Sequence, residues 1–135
     1  MTVMDDIGRS RYVSLTTYRK NGTAVPTPVW HVISGGELFI VSNADAGKVK
    51  RIRNNGRVVV TVCDIRGRVA PDAPSAEGTA RILDEAGTQA ARRLLAGRYL
   101  LSRMGNRIAA ILHVRRKPVI GIAVTFSPGD AATAI

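Results

Sequence analysis

The sequence predicts a mainly β, α+β fold, a small antiparallel barrel of six short strands with two helical insertions. Three observations predict it. Apolar residues alternate with polar ones in short runs, turn signals such as Asn21-Gly22 and Gly35-Gly36 separate those runs, and only two stretches carry helical spacing. Closure into a barrel then removes the exposed edges that several short strands would otherwise leave.

The elements follow in order. Arg11 to Tyr18 alternates, with Val13, Leu15 and Thr17 on one face, and Arg19-Lys20-Asn21-Gly22 supplies an Asn-Gly hairpin turn into a partner strand, Thr23 to Ile33. Ser34-Gly35-Gly36 turns the chain into Glu37 to Val41. A short basic helix comes next, and Arg57 to Asp64 is a β-branched, buried strand. Ile65 to Pro74 is a Gly-, Pro- and Asp-rich loop, Ser75 to Leu83 a fifth strand and Val119 to Phe126 a sixth. Between the last two lies a long helix, Asp84 to Met104, capped by Asp84. Ala91, Leu94, Leu95, Tyr99 and Leu101 form its apolar side, and Gly97 and Gly105 favour a break. That apolar side is expected on the barrel rather than on a membrane. One domain, 1–135, is expected, with 1–8 and 128–135 as tails.

The basic helix is built like an anion holder. Ser42-Asn43-Ala44-Asp45-Ala46-Gly47 is a polar turn that opens directly into Lys48-Val49-Lys50-Arg51-Ile52-Arg53-Asn54, and Asp45 or Asn43 is placed to cap it. Lys48 falls at the positive end of the helix dipole, where a cation is unfavourable unless an anion answers it. At helical spacing Val49 and Ile52 share an apolar stripe, with Lys48 and Arg51 on one flank and Lys50 and Arg53 on the other. A solvated surface helix is the competing reading.

Strand two carries a second feature. Pro26 and Pro28 have the same parity, so both missing N–H groups fall on one edge, while Val25, Thr27 and Val29 keep the other edge able to pair. A flat ring would fit the notch this leaves beside Trp30. An edge strand protected against aggregation would look the same.

Composition narrows the partner. Twenty Lys and Arg face ten Asp and Glu, for a formal charge of +10, which calls for a polyanion: nucleic acid, acidic lipid or a phosphorylated or polycarboxylated small molecule. One Trp, three Tyr and two Phe, with no interleaved aromatic–basic tract, argue against a nucleic-acid platform. Weak electrostatic attraction to acidic membrane remains compatible with the charge. The single cysteine, Cys63, and the lack of a signal-like or membrane-spanning run fit a reducing cytoplasm.

Other chemistries find no support. Ala44-Asp45-Ala46-Gly47-Lys48 lacks the leading glycine and the following Ser/Thr of a triphosphate loop. His31, His113 and Cys63 are too scattered for zinc and read as core or surface residues, so no metal is expected. No triad or nucleophile elbow is present, and no residue is singled out as catalytic. Arg115-Arg116-Lys117 reads as a solvated turn.

Four segments together carry a resemblance. Arg11-Tyr12-Val13-Ser14-Leu15-Thr16-Thr17, Asn21-Gly22-Thr23 with Pro26-Thr27-Pro28-Val29-Trp30, Ala44 to Arg51, and Glu77-Gly78-Thr79-Ala80 resemble the split β-barrel oxidoreductases related to pyridoxamine phosphate oxidase, an FMN-binding split-barrel fold. The branch they look most like is the deazaflavin-dependent one, which uses coenzyme F420. The resemblance spans about Gly8 to Ser127 and lies in the order of motifs. It implies a homodimer with the cofactor at the interface, the ring over Pro26 to Trp30 and the phosphate at the turn and helix from Ser42 to Arg51: Lys48, Lys50 and Arg51 are the phosphate candidates, Thr27, Val29, Ser42 and Asn43 the candidates for ring and linker contacts, and Pro28, Trp30 and Gly47 complete the cofactor-binding set. Two departures stand out: His31 after Trp30, expected to alter the substrate pocket, and Asn55-Gly56, expected to change a turn.

The implied reaction is hydride transfer from the reduced ring to an electron-poor small molecule, chemistry that the cofactor brings. The alternatives are an FMN-binding relative and a non-enzymatic module for an anionic ligand, heme or nucleic acid. The +10 charge suits the deazaflavin, which carries a phosphate and a polyglutamate tail, better than FMN.

Overall fold

The structure, a computed structural model, describes residues 3–100 and 118–126. Its strands are β1 (Tyr12–Tyr18), β2 (Ala24–Val29), β3 (Val32–Ser34), β4 (Glu37–Asn43), β5 (Arg57–Cys63), β6 (Ser75–Ile82) and β7 (Val119–Phe126), with helices α1 (Val3–Arg9), α2 (Gly47–Asn54) and α3 (Glu85–Leu100). All seven strands form one antiparallel sheet in the order β2-β1-β5-β6-β7-β4-β3.

That order explains the barrel. β2 and β3 lie at opposite edges of the sheet, yet only Trp30 and His31 join them. Three Cα steps span at most about 11 Å. The sheet must therefore curl until its two edges meet at this corner, which makes a split barrel. The expected single strand Thr23 to Ile33 is thus two, and the strand count is seven rather than six. His31 is the physical reason: its ring is fully buried and donates from Nε2 to the Ile7 carbonyl at 2.6 Å, pulling the chain inward where a continuous strand would run on.

The turns form as their residues dictate. Gly35 and Gly36 both take positive φ, +59° and +79°, the conformation a two-residue hairpin between Ser34 and Glu37 demands. At the first hairpin Gly22 also has positive φ, and the Asn21 side chain accepts the Thr23 amide at 3.0 Å.

Val13, Leu15, Leu38, Ile40, Val58, Val60, Ile122 and Val124 fill the interior. Two helices close its ends. α2 contributes Val49 and Ile52 at the end where β1 finishes and β5 begins; α1 contributes Ile7 at the other. A helix here was not expected, since 1–8 read as a tail. The described residues thus hold three helices, not two. Asp84 caps α3 as expected, accepting the Gly87 amide at 2.7 Å. Ala91 and Leu95 of α3 are buried, and Leu95 packs on Trp30, Val32 and Val41. Gly121 allows the approach: Thr88 of α3 bonds its amide at 2.9 Å, and a Cβ on Gly121 would lie 3.1 Å from the Thr88 Cα. α3 therefore spends its apolar side on the sheet. Tyr99, Leu101, Arg103, Gly105, His113 and the basic turn at 115–117 lie outside the residues whose side chains are described. No described helix is long and apolar enough to cross a membrane.

Candidate functional site

The expected site residues fall into two groups, joined by a residue that the sequence reading passed over. The first group is the open edge of β2. Cross-strand partners of β2 are Val25 with Thr17, Thr27 with Leu15 and Val29 with Val13, alternating with Pro26 and Pro28 opposite Thr16 and Ser14. A proline cannot enter a hydrogen-bonded pair, so the ladder must run through Val25, Thr27 and Val29. The Pro26 and Pro28 carbonyls then point to the free edge with no N–H beside them. Such an edge cannot extend a sheet, but it can accept from a ligand's imide N–H.

Side chains sort differently from backbone. Val25, Thr27 and Val29 share the interior face of Val13 and Leu15, and Val29 packs against the core; Pro26 and Pro28 are exposed on the outer face. Thr27 and Val29 therefore turn their side chains into the barrel and their backbone groups toward β1, so the Pro26 and Pro28 carbonyls are what β2 offers a ligand at the free edge. Pro28 is flanked by the β5–β6 loop, where a Cβ on Gly67 would stand 3.4 Å from the Pro28 Cγ. This loop is a stiff turn. Asp64 accepts the Arg66 and Arg68 amides, each at 2.9 Å, and the Arg68 Nε at 2.8 Å, and these bonds hold its carboxyl below the usual range. Trp30 leaves the edge and packs beneath α3.

The second group is the β4–α2 turn. Ser42 is buried with its hydroxyl on the Asn43 carbonyl, and Asn43 ends the β4–β7 ladder. Neither Asn43 nor Asp45 caps the helix. The N-cap is Ala46, with extended backbone, no side-chain hydrogen bond and no acid in the first turn. The first turn of α2 thus carries no acid of its own, and Asp45, one residue before the cap, is exposed. Cations crowd this end of the helix instead. Arg51 folds back along the helix so that a Cβ on Gly47 would sit 2.7 Å from its Nη1, and its Nε donates to the Thr17 hydroxyl at 2.6 Å. Lys48 and Arg51 are half-buried, whereas Lys50 and Arg53 are exposed on the other flank.

Thr17 is the residue that was missed. It is fully buried at the end of the β1 interior face and lies opposite Val25 of β2, so it links the two groups. The available signal was a hydroxyl continuing the Val13, Leu15 face.

His31 has no part at either group. Burial, foremost, holds its pKa down at about 4, and nearby Arg98 adds to this against the Ile7 hydrogen bond. Cys63 is half-buried, its thiol pushed up by burial and by Asp64, the opposite of a reactive cysteine. It lines an open groove of about 890 Å³ with Asp6, Arg9, Val62, Val69 and Pro74, at the end away from α2. Among the described residues no group of His, Cys, Asp and Glu could hold a metal.

Comparison with known proteins follows the geometry. Residues 3–121 match the family profile described as Pyridoxamine 5'-phosphate oxidase. No curated protein gives a match. Among solved structures, the heme storage protein HutZ from Vibrio cholerae is similar over 96% of this chain and 93% of its own, with a TM-score of 0.67 at 13% identity. An FAD-binding protein from Mesorhizobium loti is similar over 93% and 87%, at 0.63 and 14%. A protein named F420 reductase is similar over 91% of each chain, at 0.53 and 19%. At these identities the likeness is one of fold.

Proposed function

Because the chain belongs to the pyridoxamine 5'-phosphate oxidase family, we propose that it is a deazaflavin-dependent oxidoreductase that binds coenzyme F420 and reduces an electron-poor small molecule. One observation carries the reading. A helix start with no cap and no acid, a half-buried arginine turned back over its first glycine, and a donor-free strand edge are tied together through one buried threonine. This is a cradle for an anion beside a seat for a ring.

Each residue has a task. Gly47 leaves room for the guanidinium, Arg51 and Lys48 hold the phosphate, and the first amides of α2 point at the same place. One of the Pro26 and Pro28 carbonyls, which lie two residues apart on the free edge, would receive the ring's single imide N–H. When bound, the reduced deazaflavin supplies the hydride. The loop from Asp64 to Arg68, stiffened by its own hydrogen bonds, walls the outer side of Pro28. His31 cannot deliver the proton, since it is fully buried with Nε2 committed to Ile7. The proton comes from water or from a group on the substrate side. The same burial removes His31 as an axial ligand, which disfavours a heme reading built on it.

Two further features support the proposal. The +10 charge favours a cofactor with a polyglutamate tail over FMN. The outer face of β1, β5 and β6, with Thr16, Val59 and Glu77 in one row, has no helix over it among the described residues, and a second copy covering it would make the homodimer.

Parallel titration of the apo-protein with F420 and FMN tests the function. Tighter F420 binding is expected, and equal or reversed affinities would overturn it. Lys48→Ala should weaken F420 binding by about 1–3 kcal/mol, the scale of a charge-assisted contact, with the fold intact. An unchanged Kd would place the anion elsewhere.

A further inference from the structure

We infer that Thr17 is a specificity-determining positioning residue: it touches no ligand, yet it aims Arg51 and thereby sets the preference for phosphorylated over unphosphorylated cofactors. The inference rests on the reading of Gly47 and Arg51 as the phosphate end of the site.

Thr17 places a hydroxyl in an apolar setting. Thr17 is fully buried in line with Val13 and Leu15, where a valine would fill the same space without a polar atom to satisfy. Its oxygen accepts from Arg51 Nε at 2.6 Å. A guanidinium offers its five N–H groups in a fixed fork, so engaging Nε decides which edge remains for an anion. Here the remaining Nη1 lies against Gly47, at the start of α2. Without the hydroxyl, Arg51 is a long flexible chain whose charge swings out to water, losing direction rather than charge.

Thr17 also ties the two ends of the site in register. It pairs with Val25 of β2, one residue before Pro26, so a single β1 position holds both the arginine and the strand that carries the ring edge. A phosphate clamp set on this anchor keeps a constant distance from that edge. The preference for phosphate is then a property of the part-buried Thr17–Arg51 pair and not of the net surface charge.

The test compares ligands that share a ring and differ in phosphate: FMN with riboflavin, and F420 with its deazaflavin chromophore stripped of phosphate and glutamates. The ratio of the two Kd values is measured for wild type, Thr17→Val, Thr17→Ser, Thr17→Ala and Arg51→Ala, with the melting temperature of each. Thr17→Val should lower the phosphate preference about tenfold, the scale of one charge-assisted hydrogen bond. It should leave the unphosphorylated ligand unchanged, and Thr17→Ser should restore the ratio to within about threefold. Thr17→Val combined with Arg51→Ala should match Arg51→Ala alone. A wild-type ratio in Thr17→Val, or in Thr17→Ala should the valine variant not fold, overturns the inference if Arg51→Ala still loses the preference. A wild-type ratio in Arg51→Ala overturns the phosphate reading itself and the inference with it.

Discussion

His31 shows how one residue can shape this fold while leaving the chemistry alone. Its Nε2 donates to Ile7 of α1, and it sits at the corner where β2 gives way to β3. Burial keeps it neutral down to about pH 4, whereas in the unfolded chain it takes a proton near its ordinary 6.5. The unfolded state therefore binds more protons between those values, so stability is complete above about pH 6.5 and falls as pH drops toward 4. At about 1.4 kcal/mol for each pH step, the full loss approaches roughly 3 kcal/mol. Urea midpoints between pH 7.5 and 4.5 should fall accordingly, and His31→Gln should flatten that slope. The lowered carboxyls of Glu37 and Asp64, held by Arg81 and Arg68, act in the same direction but only at lower pH, below about 4.5. An unchanged slope in His31→Gln would mean that another group carries the dependence.

At the scale of elements, α2 forgoes a capping side chain at the end where the proposed anion site lies. Ser, Thr, Asp or Asn at an N-cap is worth about 1 kcal/mol over Ala. The chain has Ala46 there, with neighbouring Asn43 and Asp45 not used as caps. The dipole end stays exposed to an incoming anion. Ala46→Ser should raise the unfolding free energy of the apo-protein by about 1 kcal/mol and weaken phosphorylated ligands, because the serine hydroxyl then occupies an amide that the phosphate would use. Denaturant melts and ligand titrations on the same preparation read both signs. A gain in stability with undiminished affinity would show that those amides do not contact the ligand. β2 is similar at its free edge, where two prolines forgo N–H donors and leave carbonyls available.

At the scale of the whole molecule, the described residues distribute their charge unevenly. The end closed by α2 gathers Arg19, Lys20, Lys48, Lys50, Arg51, Arg53 and Arg57, with Arg57 stacked over Tyr18 and paired to Glu77. The end closed by α1 mixes signs, with Arg9 on Asp6 and Arg68 on Asp64. These exposed pairs add little stability. The basic end would raise the local concentration of the proposed anionic cofactor before contact. For the proposed homodimer, sedimentation at micromolar concentration with cofactor saturating should give two copies. Val59→Arg, which places like charges in the uncovered face of β1 and β5, should give one copy and weaker cofactor binding. A wild-type monomer would rule out a site shared between two chains.

Much of this molecule could be read from the chain by itself. Alternation marked the β1 and β6 segments, because a period of two is set by backbone geometry wherever one face of a strand is buried, and a β-branched apolar run marked β5. Asn21-Gly22 and Gly35-Gly36 marked turns for the same local reason: left-handed φ is cheap only for a few residues. The order of motifs identified the family, and the basic turn and the Pro26, Pro28 pair marked the two halves of the proposed site. Tertiary structure decided the rest. The break of one expected strand at Trp30-His31 depends on Ile7, 24 residues away, accepting a bond from His31. The docking of α1 depends on a barrel end that only closure creates, so residues 3–8 looked like a tail. Thr17 and Arg51 are 34 positions apart, and neither shows its partner in sequence. Local patterns record what a residue's own backbone requires; which distant group satisfies a buried polar atom is settled only when the sheet curls and brings the two together.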